Sequence, residues 1–158
     1  MQSVDFLQLS DLDRTLSDLL QEFPEMRREL HEELGELAKQ DVDAAIAASG
    51  VQDGSGKVRR WQVVHVGSGG GYAAVHPANA REGGSTGPNS AGAITNYLDS
   101  GHKIRGSKGG KAYRPRIKIP HVNGNHFYQT AKTSFEAKAI KKAEEFANRL
   151  AERLEGGR

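Results

Sequence analysis

Residues 127–154, FYQTAKTSFEAKAIKKAEEFANRLAERL, repeat an apolar side chain at Phe127, Ala131, Phe135, Ala139, Ala143, Phe146, Leu150 and Leu154. That spacing lines one face of an α-helix and leaves the charged residues on the other. The run is opened by Val122-Asn123-Gly124-Asn125 and closed by Gly156-Gly157, so one long C-terminal helix is predicted over about 125–155. The other end of the chain carries a matching stripe at Leu12, Leu16, Leu19, Phe23, Met26, Leu30, Leu34, Leu37, Val42 and Ile46. Pro24 stands inside it. Proline removes a helical hydrogen bond, so the stripe reads as two helices, about 9–22 and about 24–48. Ser10, Asp11 and Asp13 offer caps for the first, Glu25 and Glu29 suit the positive end of the second, and Gly50 suits its stop.

Between the helical ends the pattern changes to that of strands and turns. After the turn Val51-Gln52-Asp53-Gly54-Ser55-Gly56, residues 58–66 are rich in β-branched and aromatic side chains and read as a strand. Gly67-Ser68-Gly69-Gly70-Gly71 leads to a second short strand, Tyr72-Ala73-Ala74-Val75-His76-Pro77, which makes the pair a hairpin. Residues 78–92 have no apolar period and read as an exposed loop; residues 93–99 restore apolar density, and Arg116-Ile117-Lys118-Ile119-Pro120 alternates as a half-buried or edge strand. The order gives an α+β fold of one domain over 1–158: two N-terminal helices, a small mostly antiparallel sheet with long glycine-rich loops over about 51–122, and one long C-terminal helix.

Composition limits what such a domain can do. Apolar residues make up 36% of the chain and aromatic ones 6%, against 19 glycines, so a modest core is expected, with segments 67–71, 78–92 and 103–113 flexible until a partner orders them. With no cysteine, disulfides, thiolate zinc sites and cysteine nucleophiles are excluded together. The first residues lack a basic and apolar leader pattern, and no apolar run reaches about 18 residues, so a soluble protein with no membrane partner is expected. The formal net charge of +2 is unevenly spread: residues 1–50 hold 12 acidic and 4 basic side chains, residues 51–158 hold 18 basic and 8 acidic. This polarity suits head-to-tail packing of identical subunits, and equally suits solvated helix faces beside a basic loop.

Motifs for catalysis are missing. Gly106-Ser107-Lys108-Gly109-Gly110-Lys111-Ala112 has the composition of a phosphate-binding loop without its register, and the 67–71 loop joins two strands where a strand-to-helix turn is required. His31, His65, His76, His102, His121 and His126 show no metal-ligand spacing. His65 and His76 can face each other across the hairpin, with His102 near, but carboxylates are scarce beyond residue 50 and the pair reads as an ordinary polar strand face. No metal, no cofactor and no enzymatic activity are therefore predicted. The basic run is the feature most open to function: Lys103, Arg105, Lys108, Lys111, Arg114, Arg116 and Lys118 occur with no acid between them. Only Tyr113 interleaves it, which suits sequence-independent attraction to phosphates or to an acidic protein neighbour, and suits base stacking poorly.

Three short motifs in order resemble the gene-product-ten-like minor tail and tail-completion proteins of long-tailed, non-contractile double-stranded DNA phages. Ala93-Ile94-Thr95-Asn96-Tyr97-Leu98-Asp99-Ser100-Gly101-His102 is similar to that family's Ile-Thr-Asn-x-Leu-x-x-Gly-His signature. Val122-Asn123-Gly124-Asn125-His126-Phe127 is similar to its glycine-containing step into the last helix, and the leucine-rich start through Pro24 is similar to its opening. Where many members carry Thr-Gly-x-Leu-Arg, this chain reads Gly54-Ser55-Gly56-Lys57-Val58-Arg59-Arg60. The resemblance implies a non-enzymatic virion protein of the neck or tail, present in the host cytoplasm during assembly. It further implies a ring of identical subunits, expected to be a hexamer with a twelvefold ring as the alternative, joined to head-closure and tail-terminator or tail-tube proteins around the DNA. Interface or DNA-facing roles are expected at Tyr97, His102, Lys103, Arg105, Lys108, Lys111, Arg114 and Arg116. The alternative is an accessory protein that binds duplex DNA through residues 103–118 without entering a particle.

Overall fold

The computed structural model describes residues 6–103 and 121–156. Its elements run α1 (Phe6–Ala48), α2 (Lys57–Trp61), β1 (Gln62–Val66), β2 (Ala73–Pro77), a 3-10 turn (Ala80–Glu82), α3 (Ala91–Ser100), β3 (Gly101–Lys103), β4 (His121–Asn123) and α4 (Phe127–Gly156). The class is α+β, with long helices at both ends and two small antiparallel sheets between them.

The two helices expected before Gly50 are one. Pro24 sits inside α1, exposed, with its neighbour one turn back, Leu20, 74% exposed. The carbonyl that proline leaves without a donor therefore faces water, and the apolar stripe keeps its phase on both sides of it. α4 runs antiparallel along α1 and bridges the proline: Phe146 meets Phe23 with ring centroids 6.2 Å apart, and Arg153 pairs with Glu22 at 2.6 Å. A proline inside a helix costs roughly 3 kcal/mol, and packing along the whole of α4 offsets it.

The strand expected from residue 58 starts later because Asp53 turns the chain into α2 first. Its buried carboxylate accepts from the backbone N–H of Val58 at 2.9 Å and of Arg59 at 3.2 Å, with the Arg59 side chain at 3.1 Å. Two otherwise unmatched helical donors are thereby satisfied, as a capping residue would do from closer in sequence. The sheet itself is two separate ribbons, β1–β2 and β3–β4, each antiparallel. The strand expected at 116–120 lies outside the described residues.

β1 and β2 pair Gln62 with Pro77, Val64 with Val75 and Val66 with Ala73, and this face packs on α1. Gly35 makes the contact close, since a Cβ there would meet Val64 Cγ1 at 2.5 Å. The 67–71 loop, expected to be free, is docked on the same helix: Arg27 donates to the Gly69 carbonyl at 2.7 Å, and Gly70, at φ 62°, lies against Arg28. Among the described residues the core proper is Val42, Ala45 and Ile46 of α1, Val58, and Phe127 and Ala131 of α4, with Trp61, Val75, Leu98 and Tyr128 packed against it. Tyr128 donates to Gln62 Oε1 at 2.6 Å, and Gln62 donates to the Val58 carbonyl at 3.0 Å, which ties α4 through a buried amide to α2. Away from this end, Phe23, Leu30, Leu34, Phe135, Phe146 and Leu150 line the α1–α4 seam only half-buried, because two helices alone cannot enclose a stripe.

Candidate functional site

Two of the three segments that carry the resemblance, 93–102 and 122–127, meet. α3 is opened by Ser90, whose Oγ accepts from the Ala93 N–H at 3.1 Å, and it ends at Gly101 with φ 77°. From there β3 pairs with β4 as Gly101 to Asn123, His102 to Val122 and Lys103 to His121. Gly124 crosses behind Gly101 so closely that a Cβ on either would strike the other's backbone. Asn125 and His126 donate to the carbonyls of Leu98 and Asp99, both at 2.9 Å, and the Asp99 carboxylate accepts from the Tyr128 N–H at 3.1 Å as α4 begins. The result is a backbone clasp that fixes where β3 points.

Tyr97, His102 and Lys103 lie on this clasp. Tyr97 and His102 form a tilted ring pair with centroids 5.0 Å apart. Tyr97 points outward at 42% exposure, and Thr95 takes the fully buried position of α3. Lys103 is exposed at the end of β3, opposite His121. The ribbon thus presents the two ends of the 104–120 segment side by side, with Arg105, Lys108, Lys111, Arg114 and Arg116 lying outside the described residues. The two strands that flank the basic segment in sequence are paired with each other, and the aromatic pair Tyr97–His102 sits on that ribbon.

The acidic half of the chain is matched in part within the molecule. Glu22 meets Arg153, Glu33 meets Lys142 at 3.1 Å, and buried Asp41 accepts from Lys138 and from Ser134. Hydrogen bonds that the Lys142 ammonium donates to Glu33 and then to Glu145 hold it above its ordinary pKa. The polarity read from sequence is thus spent partly on fastening α4 to α1. Glu32 pairs with Arg28 one turn back at 3.0 Å, and Glu32, Glu33 and Glu36 with Leu37, Gln40, Val64, Val66 and Lys142 line an open groove of about 680 Å³.

His65 and His76 do come together on the outer face of the hairpin, as diagonal neighbours with ring centroids 6.0 Å apart. His102 does not join them; its ring partner is Tyr97. A carboxylate that the sequence reading did not place does join: Glu82, from the stretch read as plain loop, has Oε1 3.4 Å from His76 Nε2. It is brought there by a capping box, in which Asn79 Oδ1 accepts from the Arg81 N–H and Glu82 Oε2 accepts from the Asn79 N–H, both at 2.9 Å. The sequence signal was present as Asn79-Ala80-Arg81-Glu82, a polar cap followed three residues later by Glu. Behind the turn, Gly84 lies against the Ala78 carbonyl where no side chain fits.

Comparison of the chain with family models, curated proteins and solved structures gives no match.

Proposed function

We propose that the chain is a structural subunit of the neck or tail-completion region of a long-tailed phage, assembling as a ring with copies of itself and with adjoining neck proteins. The observation that carries an assembly role is the α1–α4 seam. Phe23, Leu30, Phe135, Phe146 and Leu150 are residues of core type left half-buried along a two-helix extension, while Leu16, Leu20, Ile140 and Leu154 stand 39–74% exposed. A third helix or a neighbouring surface is what such a stripe lacks. The choice of a phage neck over other assemblies rests on the three motifs in order. Its geometric support is that two of them meet in the clasp whose strands flank the basic segment.

In this reading the exposed end of the ribbon delivers the basic residues 103–118 to an acidic face of the next subunit or to DNA in the channel. The test is genetic and structural together. Inactivating the gene in its phage should leave filled heads and finished tails that fail to join, and the protein should be found by electron microscopy at the junction of intact virions. Normal, infectious particles without this protein would end the proposal.

A further inference from the structure

We infer that His65, His76 and Glu82 bind one divalent transition ion of the zinc class, fastening the Ala80–Glu82 turn onto the β1–β2 hairpin. The inference is independent of the neck reading. One ligand atom from each of the three residues lies within 4.8 Å of the others, the one such histidine and carboxylate group among the described residues. Two of the three are already oriented from behind. His76 Nδ1 is 3.0 Å from the Pro77 carbonyl, which can only accept, so Nδ1 carries a proton and Nε2 is the atom turned to the cluster. Glu82 Oε2 is engaged by the Asn79 N–H, which leaves Oε1 to face that same Nε2 at 3.4 Å. A neutral imidazole would then set a lone pair against a carboxylate oxygen. Either a second proton on His76 or a cation between the two atoms relieves this, and the adjacent His65 ring favours a cation, since it supplies a third donor nitrogen.

The donor chemistry selects the ion. Two imidazoles and one carboxylate are a borderline set that suits zinc-class metals, whereas calcium and magnesium take oxygen donors. Metal–ligand bonds of about 2.0–2.2 Å place tetrahedral ligands roughly 3.3–3.5 Å apart, a spacing the Glu82–His76 pair already has. His65 is exposed and leans on Tyr72 at 6.1 Å between centroids, so its ring can turn in without displacing packed groups. A carbonyl behind one imidazole and a backbone N–H behind the carboxylate are the outer contacts that hold metal ligands in place. Three protein ligands leave a fourth position open to water or to a donor from a neighbour.

The metal-free full chain is titrated with zinc by calorimetry and with cobalt by visible absorption. Wild type should take up one equivalent of zinc, show cobalt bands of a four- or five-coordinate ion, and melt at a higher temperature with zinc present. Glu82→Gln should weaken binding by about tenfold or more, and the double variant His65→Ala, His76→Ala should abolish it. His121→Ala and His126→Ala should bind as wild type. The three sites are on the solvent side of the hairpin, and circular dichroism checks that each variant folds. No stoichiometric binding by wild type, or binding that the double variant retains, overturns the inference. So does a melting temperature that falls in Glu82→Gln while zinc has no effect on wild type, which is the signature of an imidazolium–carboxylate pair alone.

Discussion

Asp53 decides how the chain leaves α1, and its chemistry makes the fold sensitive to acid. Burial raises its pKa, but the Val58 N–H and the Arg59 side chain and N–H outweigh burial and hold the carboxyl below its ordinary value of 3.8. A folded-state pKa below the unfolded one means that the stabilisation is complete above pH 3.8 and is lost as pH falls through the folded value. Thermal melts of wild type should drop steeply there, and Asp53→Ala should flatten the drop while costing about 1–3 kcal/mol at neutral pH. Tyr128 offers a second single-atom test: burial, then the Asp99 charge, pushes its phenol upward, so it stays a donor to Gln62 Oε1. Tyr128→Phe leaves that buried oxygen without a partner and should cost about 1–2 kcal/mol in denaturant unfolding. Gly124→Ala should cost more, since the added methyl meets the backbone of Asp99, Ser100 and Gly101, which cannot swing away as a side chain would. Of these residues the sequence placed Gly101 at the end of the 93–102 motif and Gly124 in the step into the last helix. It could not reveal that they are one joint, because their crossing depends on contacts 23 positions apart.

Helix α4 and the far end of α1 were readable to within two residues, because a stripe of eight or more apolar positions at one period overrides local noise. The break at Pro24 was a misreading with a physical lesson: local propensity forbids a continuous helix, and packing against a second helix across the same point restores it. Pro24→Ala tests this directly. If α1 is continuous and Pro24 is its weakest turn, the substitution should raise stability, by up to about 3 kcal/mol, seen as a higher denaturation midpoint with an unchanged slope. A break between two independent helices predicts no gain. Shorter elements were harder to read: α2 is five residues held by an acid at its foot, and the 3-10 turn is three residues held by a capping box. Neither is long enough to show a period, so both dissolve into the strand or loop around them.

For the molecule as a whole, sequence gave the class and the basic run but not the tertiary placement of the functional groups. Glu82 was invisible beside the histidines because six residues of turn, not a repeat, carry it from His76. The charge polarity was legible, yet part of it proved internal, since Lys138, Lys142 and Arg153 face Asp41, Glu33 and Glu22. The strands on either side of the basic segment 103–118 have a simple geometry. Lys103 and His121 are register partners, so the chain between them can be replaced by a two-residue Asn-Gly turn without moving either strand. The shortened protein should keep the fold, melting within about 3 °C of wild type, a shift of roughly 1 kcal/mol. If residues 104–120 grip the next subunit, light scattering should show the full chain assembling at low ionic strength and the shortened one remaining a monomer. Raising salt should disperse the full-length assembly as well, because the contact is one of opposite charges at a solvent-exposed surface. Assembly that persists in the shortened chain would shift the interface to the half-buried seam of α1 and α4, where substituting Leu20 and Ile140 with Lys should then disperse it.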